Sequence, residues 1–315
     1  MAPLTLRAAT PADGPGVEAL FSATHARELP HPVWQWRYHG RPGSPSVCTV
    51  ADDGGRVVAH VGTLVSPADA RGRGLRLGLW TDLMTHPERR DLGLFLDLAE
   101  ANLAACRTAG LDLLYAFPND RSYPLLKRLL GFLDLGDLRA YEAPLSGLRR
   151  ADAAPAREGL PPAAELDSFW RRARPEHGLA LRRDAAWVQW RFALRPGADY
   201  RTFHVMDAGR LSGWAAAKFF PAGRVGDVLE LWHDGPAAAD ALLAAAAAWF
   251  KERGAETVSA WAGPRDPKAE LWESWGLAPR GPATHFVAKA LTPAGEAFAA
   301  DASFWRIGKG DSDVF

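Results

Sequence analysis

The stretch Thr81-Asp82-Leu83-Met84-Thr85-His86-Pro87-Glu88-Arg89-Arg90-Asp91-Leu92-Gly93-Leu94-Phe95 decides the fold. It reads as the end of a strand, a tight turn and the first turn of a helix. A mostly apolar run, residues 75–84, comes first, and Pro87 with the charged cluster behind it breaks that run. From Gly93 the apolar residues Leu94, Leu98, Ala101, Leu103 and Ala105 recur at roughly the spacing of one helix face. The first turn of such a helix leaves backbone N–H groups without internal partners, and the helix dipole adds partial positive charge there. That end suits an anion such as a pyrophosphate. Arg89 and Arg90 add charge, and Gly93 lets the backbone come close.

Upstream, Leu4-Thr5-Leu6-Arg7 alternates as a short strand, and Thr10-Pro11 has the chemistry of a helix start. Asp52-Asp53-Gly54-Gly55 predicts a hairpin turn between strands over 47–51 and 56–65, with Gly62 at a bulge. Downstream, the helix from Gly93 ends near Gly110, a strand covers 111–117, a helix covers 119–130, and Gly131-Phe132 opens another strand. The order is β-α, three antiparallel strands, then α-β-α-β: an α+β fold with a mixed, mostly antiparallel sheet flanked by helices.

These segments, in this order, resemble the GNAT acyltransferases over residues 4–140. Arg90-Asp91-Leu92-Gly93-Leu94-Phe95 is similar to the family's motif A loop, Arg/Gln-x-x-Gly-x-Gly/Ala, matching at Arg90 and Gly93 and departing at Phe95. Asp91 puts a carboxylate where the family often has Gly. Residues 119–132 resemble motif B, with Lys127 where the family often carries a general-acid Tyr; Tyr123 is the nearest phenol, one helical turn upstream. The resemblance implies acetyl-CoA as acyl donor, held by Met84, Thr85, His86, Arg90, Asp91, Leu92, Gly93, Leu94 and Phe95, with Asn119 at the pantetheine arm. It implies N-acetyl transfer to a small-molecule amine or an amino sugar. For the base, Asp82 on the strand leading into the loop is favoured, with Glu100 and His86 behind it; for the acid, Tyr123. His86, next to Pro87, reads first as a cap of the turn, and Asn119 after Pro118 also reads as an N-cap.

The rest of the chain is partly a copy of the first half. Gln35-Trp36-Arg37-Tyr38 is matched by Gln189-Trp190-Arg191-Phe192, an offset of 190 − 36 = 154. At the same offset Arg41-Pro42-Gly43 matches Arg195-Pro196-Gly197, and Gly55-Arg56 matches Gly209-Arg210. Several matches at one ungapped offset indicate a duplicated domain. The expected organisation is a GNAT-like acyl-CoA domain over 1–143, a Pro- and Ala-rich linker over 144–165, and a degenerate GNAT-like copy with a C-terminal tail over 166–315. The second copy lacks the Arg-x-x-Gly loop: its third strand runs into His233-Asp234-Gly235-Pro236. It is expected to form one wall of a substrate cleft. Trp34, Trp36, Trp187 and Trp190 read first as packing and second as a stacking wall for a flat ligand. In the aromatic tail Trp305 and Phe315 are expected anchors that bring Asp311, Asp313 and the terminal carboxylate to the cleft.

Composition narrows the function. The 37 basic residues balance 37 acidic ones, which argues against a nucleic-acid partner and against a FemX-like transferase that takes an aminoacyl-tRNA. Cys48 and Cys106 are the only cysteines, excluding a disulfide framework and a cysteine-rich zinc site. The apolar run 241–250 is too short for a membrane span, and residues 1–7 lack a long apolar leader, so a cytoplasmic protein, monomer or homodimer, is expected. Asp91 and Lys127 favour a further alternative, a non-catalytic acyl-CoA or metabolite-binding protein.

Overall fold

The computed structural model describes residues 4–41, 43–149, 154–174 and 178–313. The first run of elements is β1 (Leu4–Ala8), α1 (Gly14–His25), α2 (His31–His39), β2 (Val47–Asp53), β3 (Arg56–Ala70), β4 (Arg73–Thr85), α3 (Leu92–Thr108), β5 (Leu113–Ala116), α4 (Tyr123–Leu129) and β6 (Leu133–Pro144). The second is β7 (Arg157–Glu158), α5 (Ala163–Ala173), β8 (Leu179–Leu181), α6 (Ala185–Val188), β9 (Tyr200–Asp207), β10 (Arg210–Phe220), β11 (Val225–His233), α7 (Pro236–Glu252), β12 (Thr257–Ala262), α8 (Lys268–Ser274) and β13 (Ala278–Ala290). A π-turn, Gln189–Ala193, extends α6, and α9 (Pro293–Ala300) leads into the tail. Among the described residues no helix is long and apolar enough to cross a membrane.

Local chemistry places the β2–β3 turn and the end of α3 where the sequence predicts them. Gly54 and Gly55 take positive φ in the β2–β3 turn, and Gly110, at φ 70°, ends α3. Helix α4 is shorter than expected. Asn119 Oδ1 accepts from the N–H groups of Arg121 and Ser122, both at 3.0 Å, so it caps a turn that precedes the helix.

Among the described residues the strands form one sheet of 13, in the order β1-β2-β3-β4-β5-β13-β6-β12-β11-β10-β9-β7, with β8 paired to β3. The pairs β4–β5 and β11–β12 are parallel and the others are antiparallel. The two runs exchange their last strands. β13 pairs with β5 through Val287↔Ala116 to Ala290↔Leu113, and β6 pairs with β12 through Thr257↔Pro144 to Ala262↔Arg139. The sheet is therefore continuous from the first run into the second. Within residues 144–165, β7 adds to β9, and residues 150–153 lie outside the described residues.

The offset of 154 marks an internal two-fold relation. Trp36 Nε1 donates to the Trp190 carbonyl at 2.8 Å, and Trp190 Nε1 donates to the Trp36 carbonyl at 3.1 Å. Their rings stack at 4.6 Å and 11°. Trp34, Trp187 and Trp190 are buried, and Trp36, Trp187 and Trp190 also line a cavity with Arg37 and Asp313. The pairing satisfies both indole donors across the two runs, whereas the Nε1 of buried Trp187 has no hydrogen-bond partner among the described residues.

Candidate functional site

The site begins where two strands part. β4 pairs with β5 only over Leu77–Leu79 and Leu113–Tyr115. β5 then ends, while β4 continues to Thr85 along β3. Opposite β3, His60 faces Met84 and Gly62 faces Thr81, so Asp82 and Leu83 stand against the single residue Val61. This is a bulge on β4, and Asp82 takes φ 47°, a strained conformation for a residue with a side chain. Gly62 serves the bulge differently from expectation: it is not the extra residue but makes room, since a Cβ there would stand 2.5 Å from the Tyr38 ring.

Three side chains hold Asp82. Arg37 Nη1 donates to Oδ2 at 2.7 Å, the Tyr38 phenol donates to the same oxygen at 2.5 Å, and His60 Nδ1 lies 3.0 Å from the Asp82 carbonyl. Burial alone would push the carboxyl up. Arg37 and Tyr38 outweigh it and keep the carboxyl below the usual carboxylate range. Asp82 is thus a fixed anion with a fully engaged oxygen, which makes it a weak proton acceptor. Burial and the Asp82 charge raise the Tyr38 phenol well above its ordinary value, so it stays protonated.

The tail brings a second carboxylate to the same arginine. Thr81 Oγ1 donates to Asp313 Oδ2 at 2.6 Å, Arg37 Nη1 lies 3.6 Å from that oxygen, and Arg37 Nη2 donates to the Asp313 carbonyl at 3.3 Å. The Asp313 side chain is 20% exposed and that of Asp82 6%, so Asp313 is the more open acid. Phe315 and the terminal carboxylate lie outside the described residues.

Beyond the strand, His86 caps the turn Pro87–Arg89: its Nδ1 accepts from the Glu88 N–H at 3.3 Å, and its Nε2 lies 2.9 Å from Arg56. Arg89 pairs with Asp53. Asp91 is the N-cap of α3, Oδ1 accepting from the Leu94 N–H at 2.7 Å, and a Cβ on Gly93 would stand 3.2 Å from that oxygen. The helix end predicted to receive a pyrophosphate therefore carries one of the chain's own carboxylates. Met84 is buried, Leu92 is exposed, and Leu94 and Phe95 pack into the layer between α3 and the sheet.

Tyr123 opens helix α4, which follows β5. Its phenol donates to Asp134 Oδ2 at 2.5 Å, and Lys127 Nζ donates to the phenol at 2.9 Å and to Asp134 at 2.7 Å. The hydrogen bond to Asp134 raises the Tyr123 phenol. The Tyr123 ring stacks on His285 at 3.9 Å and 12°, and His285 Nδ1 lies 2.8 Å from Asp137. His285 comes from β13. Sequence reasoning missed it because only the strand exchange brings residue 285 to residue 123. Lys127, the departure from motif B, belongs to the same cluster. Glu100 lies on an exposed face of α3, away from these residues.

The second run has a matching opening, closed by the tail. β11 and β12 are paired only over Val225–Asp227 and Thr257–Ser259. There Lys309 Nζ donates to Asp227 Oδ1 and, at 2.7 Å, to Ser259 Oγ. Arg183 Nη2 bridges Glu230 at 2.7 Å and Asp311 at 2.5 Å, and Arg191 donates to the Gly310 and Ser312 carbonyls. Helix α7 starts at Gly235-Pro236 with no side-chain cap and no basic cluster.

Residues 5–131 match the family described as Acetyltransferase (GNAT) domain. No curated protein matches the chain. Solved structures share the fold across nearly its whole length. A conserved protein of unknown function from Enterococcus faecalis superimposes with a TM-score of 0.73 at 12% identity, over 92% of this chain and 73% of that one. A GCN5-related N-acetyltransferase from Anabaena variabilis does so with 0.72 at 12% identity, over 95% and 75%. Another GCN5-related N-acetyltransferase, from Kribbella flavida, gives 0.68 at 19% identity, over 95% and 74%.

Proposed function

We propose, from the match of residues 5–131 to the GNAT acetyltransferase domain, that the chain transfers an acyl group, acetyl first, from CoA to the amine of a small molecule. The observation that carries this reading is the opening between β4 and β5, with the bulged Thr81–Asp82 segment on β4 and the α3 N-terminus following that strand. The acyl thioester runs along the free edge of β4, its pyrophosphate directed at the N–H groups of Leu92 and Gly93 and at Arg90. Asp91 opposes that anion without forbidding it. Giving up an N-cap costs about 1 kcal/mol, against about 8 kcal/mol for a micromolar ligand.

The acceptor enters from the cavity lined by Trp36, Trp190, Arg37 and Asp313, with Asp82 behind Arg37. Two carboxylates against one arginine attract an ammonium. Asp313, the more open of the two, takes the ammonium proton; Asp82 holds Arg37 and Tyr38 in place. The neutral amine attacks the acyl carbon, the C–N bond forms and the C–S bond breaks; the leaving thiolate takes the Tyr123 proton, and the proton the nitrogen sheds on becoming an amide passes to solvent, from which Tyr123 is reprotonated. Lys127 and Asp134 fix that phenol.

Calorimetric titration of acetyl-CoA into the wild type and into Gly93→Trp tests the donor site. Micromolar binding that the substitution removes is expected; equal binding by both would move the donor elsewhere. The engaged state of Asp82 and the Asp91 cap favour a second reading, acyl-CoA binding without turnover. Release of free thiol with any member of an amine panel decides against it.

A further inference from the structure

The chain carries 37 basic residues, of which six are lysines, at positions 127, 218, 251, 268, 289 and 309. Three of the six have defined polar partners: Lys127 bonds Asp134, Lys289 bonds the Leu130 carbonyl at 2.7 Å, and Lys309 bonds Asp227 and Ser259. Lys218 is different. It lies in β10, opposite Tyr200 of β9 and Asp227 of β11, so the three side chains share one face of the sheet. Asp227 is the carboxylate facing it from that neighbouring strand, and Lys309 already occupies its Oδ1. Among the described residues Lys218 makes no hydrogen bond or ion pair. Its Nζ sits 4.2 Å from the Phe220 ring centre and 5.6 Å from that of Tyr200. Arg191 and Arg195 each donate to the Tyr200 phenol oxygen at 2.6 Å, placing two guanidinium groups on the same side.

This surrounding acts in one direction. Aromatic rings and partial burial remove water from the ammonium, and the two arginines repel it. The Lys218 amine is accordingly brought down to about 8, by burial first and then by Arg195 and Arg191, with Asp227 opposing. The same arginines attract phosphates.

We propose that Lys218 is an acylation site for anionic acyl donors, acyl-CoA thioesters or acyl phosphates, whose phosphates the partly exposed Arg195 receives while the buried Arg191 adds positive charge behind it. The neutral amine attacks the acyl carbon, a C–N bond forms, and the C–S or C–O bond breaks. CoA thiolate or phosphate leaves and the amine proton passes to water. The product is an uncharged amide against Phe220 and Tyr200, which removes the repulsion from both arginines. The site shares its donor class with the proposed reaction but lies on the second run, away from the β4–β5 opening.

The test is brief exposure of the full chain to acetyl-CoA, and separately to acetyl phosphate, followed by peptide mass mapping of all six lysines. At pH 8 an ordinary lysine is under about 1% neutral, so Lys218 is expected to react at least about tenfold faster than Lys251 and Lys268 with one or both donors. Which donor labels it faster identifies the source. The preference is expected to persist with acetyl phosphate in Gly93→Trp, so that failure of the β4–β5 reading leaves this one standing. Arg195→Gln is expected to slow labelling by the anionic donors and not by acetic anhydride, which is neutral. Lys218→Met, which replaces the desolvated charge, is expected to raise Tm by about 1–3 °C. Labelling of Lys218 no faster than that of Lys251 with both donors overturns the proposal; slowing of all three reagents alike in Arg195→Gln overturns the role of the arginines.

Discussion

The two runs of this chain open their sheets at corresponding places and fill them differently. In the first, β4 and β5 part after Leu79 and Tyr115, and Thr81, Asp82 and Arg37 stand at the gap with Asp313. In the second, β11 and β12 part after Asp227 and Ser259, and Lys309 stands between them. One opening keeps polar groups turned toward a cleft; the other is sealed by a buried ion pair from the tail. Of the two openings the tail closes one and furnishes a carboxylate to the other. Both halves of the proposed division of labour thus hang on residues 308–313.

The comparison breaks most visibly if the tail is released from the second run. Arg183 is 1% exposed at its side chain and neutralises Glu230 and Asp311. Arg183→Met leaves both carboxylates buried without a cation, and a loss of about 3–5 kcal/mol is expected in urea unfolding. Adding Glu230→Gln and Asp311→Asn is expected to return much of it, because the lone buried charges are then gone. A single-variant loss under about 1 kcal/mol would show that the tail is not anchored there, and the contrast between the openings would fail with it.

Asp313→Asn separates the tail's chemical role from its anchoring. The substitution keeps shape and the Thr81 contact but removes the proton acceptor. With an amine identified by screening, kcat/KM is expected to fall about 10²-fold with Tm nearly unchanged. An unchanged kcat/KM would return the base assignment to Asp82 or to water.

Much of this was legible in the sequence. The offset of 154 located Trp36 and Trp190, and the structure makes them each other's hydrogen-bond acceptors across the two runs. The strand–turn–helix around Pro87 and Gly93 was legible because hydrophobic period and breaker residues act locally. The strand exchange was not. β6 and β13 end the strand series of the two runs, and their own sequences do not say which neighbour each takes; pairings such as Val287 with Ala116 and Thr257 with Pro144 are settled by the whole sheet. His285 was hidden for the same reason, since it works on the run it does not adjoin in sequence, and Lys309 because the path of the tail back onto β11 and β12 is likewise settled by packing. The Asp91 carboxylate was seen as an obstacle to an anion, but its bond to Leu94 depends on a side-chain rotation that the sequence does not specify.

Asp91→Gly sharpens the difference between the two helix starts. Helix α3 has a carboxylate cap and α7 has Gly235 with none. Glycine at an N-cap loses only a few tenths of a kcal/mol against Asp, while the charge opposing a pyrophosphate disappears. Acetyl-CoA affinity is expected to rise about threefold to tenfold, roughly 1 kcal/mol, and a drop in affinity would mean that Asp91 supports the donor instead.

The smallest expected effect lies in acid stability, where the two openings differ in sign. Arg37 and Tyr38 overcome burial and hold the Asp82 carboxyl below its ordinary value. Such a group stabilises the fold above its unfolded value, about 3.9, and the stabilisation drains as pH falls through that value toward the folded one. Asp227 is the opposite case: burial raises its carboxyl in spite of Lys309. Its charge weighs against the fold near neutrality, and that burden lightens as pH falls toward its folded value. Asp82→Asn is therefore expected to lower Tm at pH 7 and to flatten its decline between about pH 5 and pH 3, because the variant has no such charge to lose. The two Tm curves should converge at the acid end. Parallel curves across that range would mean that Asp82 does not titrate with unfolding, and that Arg37 is held at the bulge by Asp313 instead.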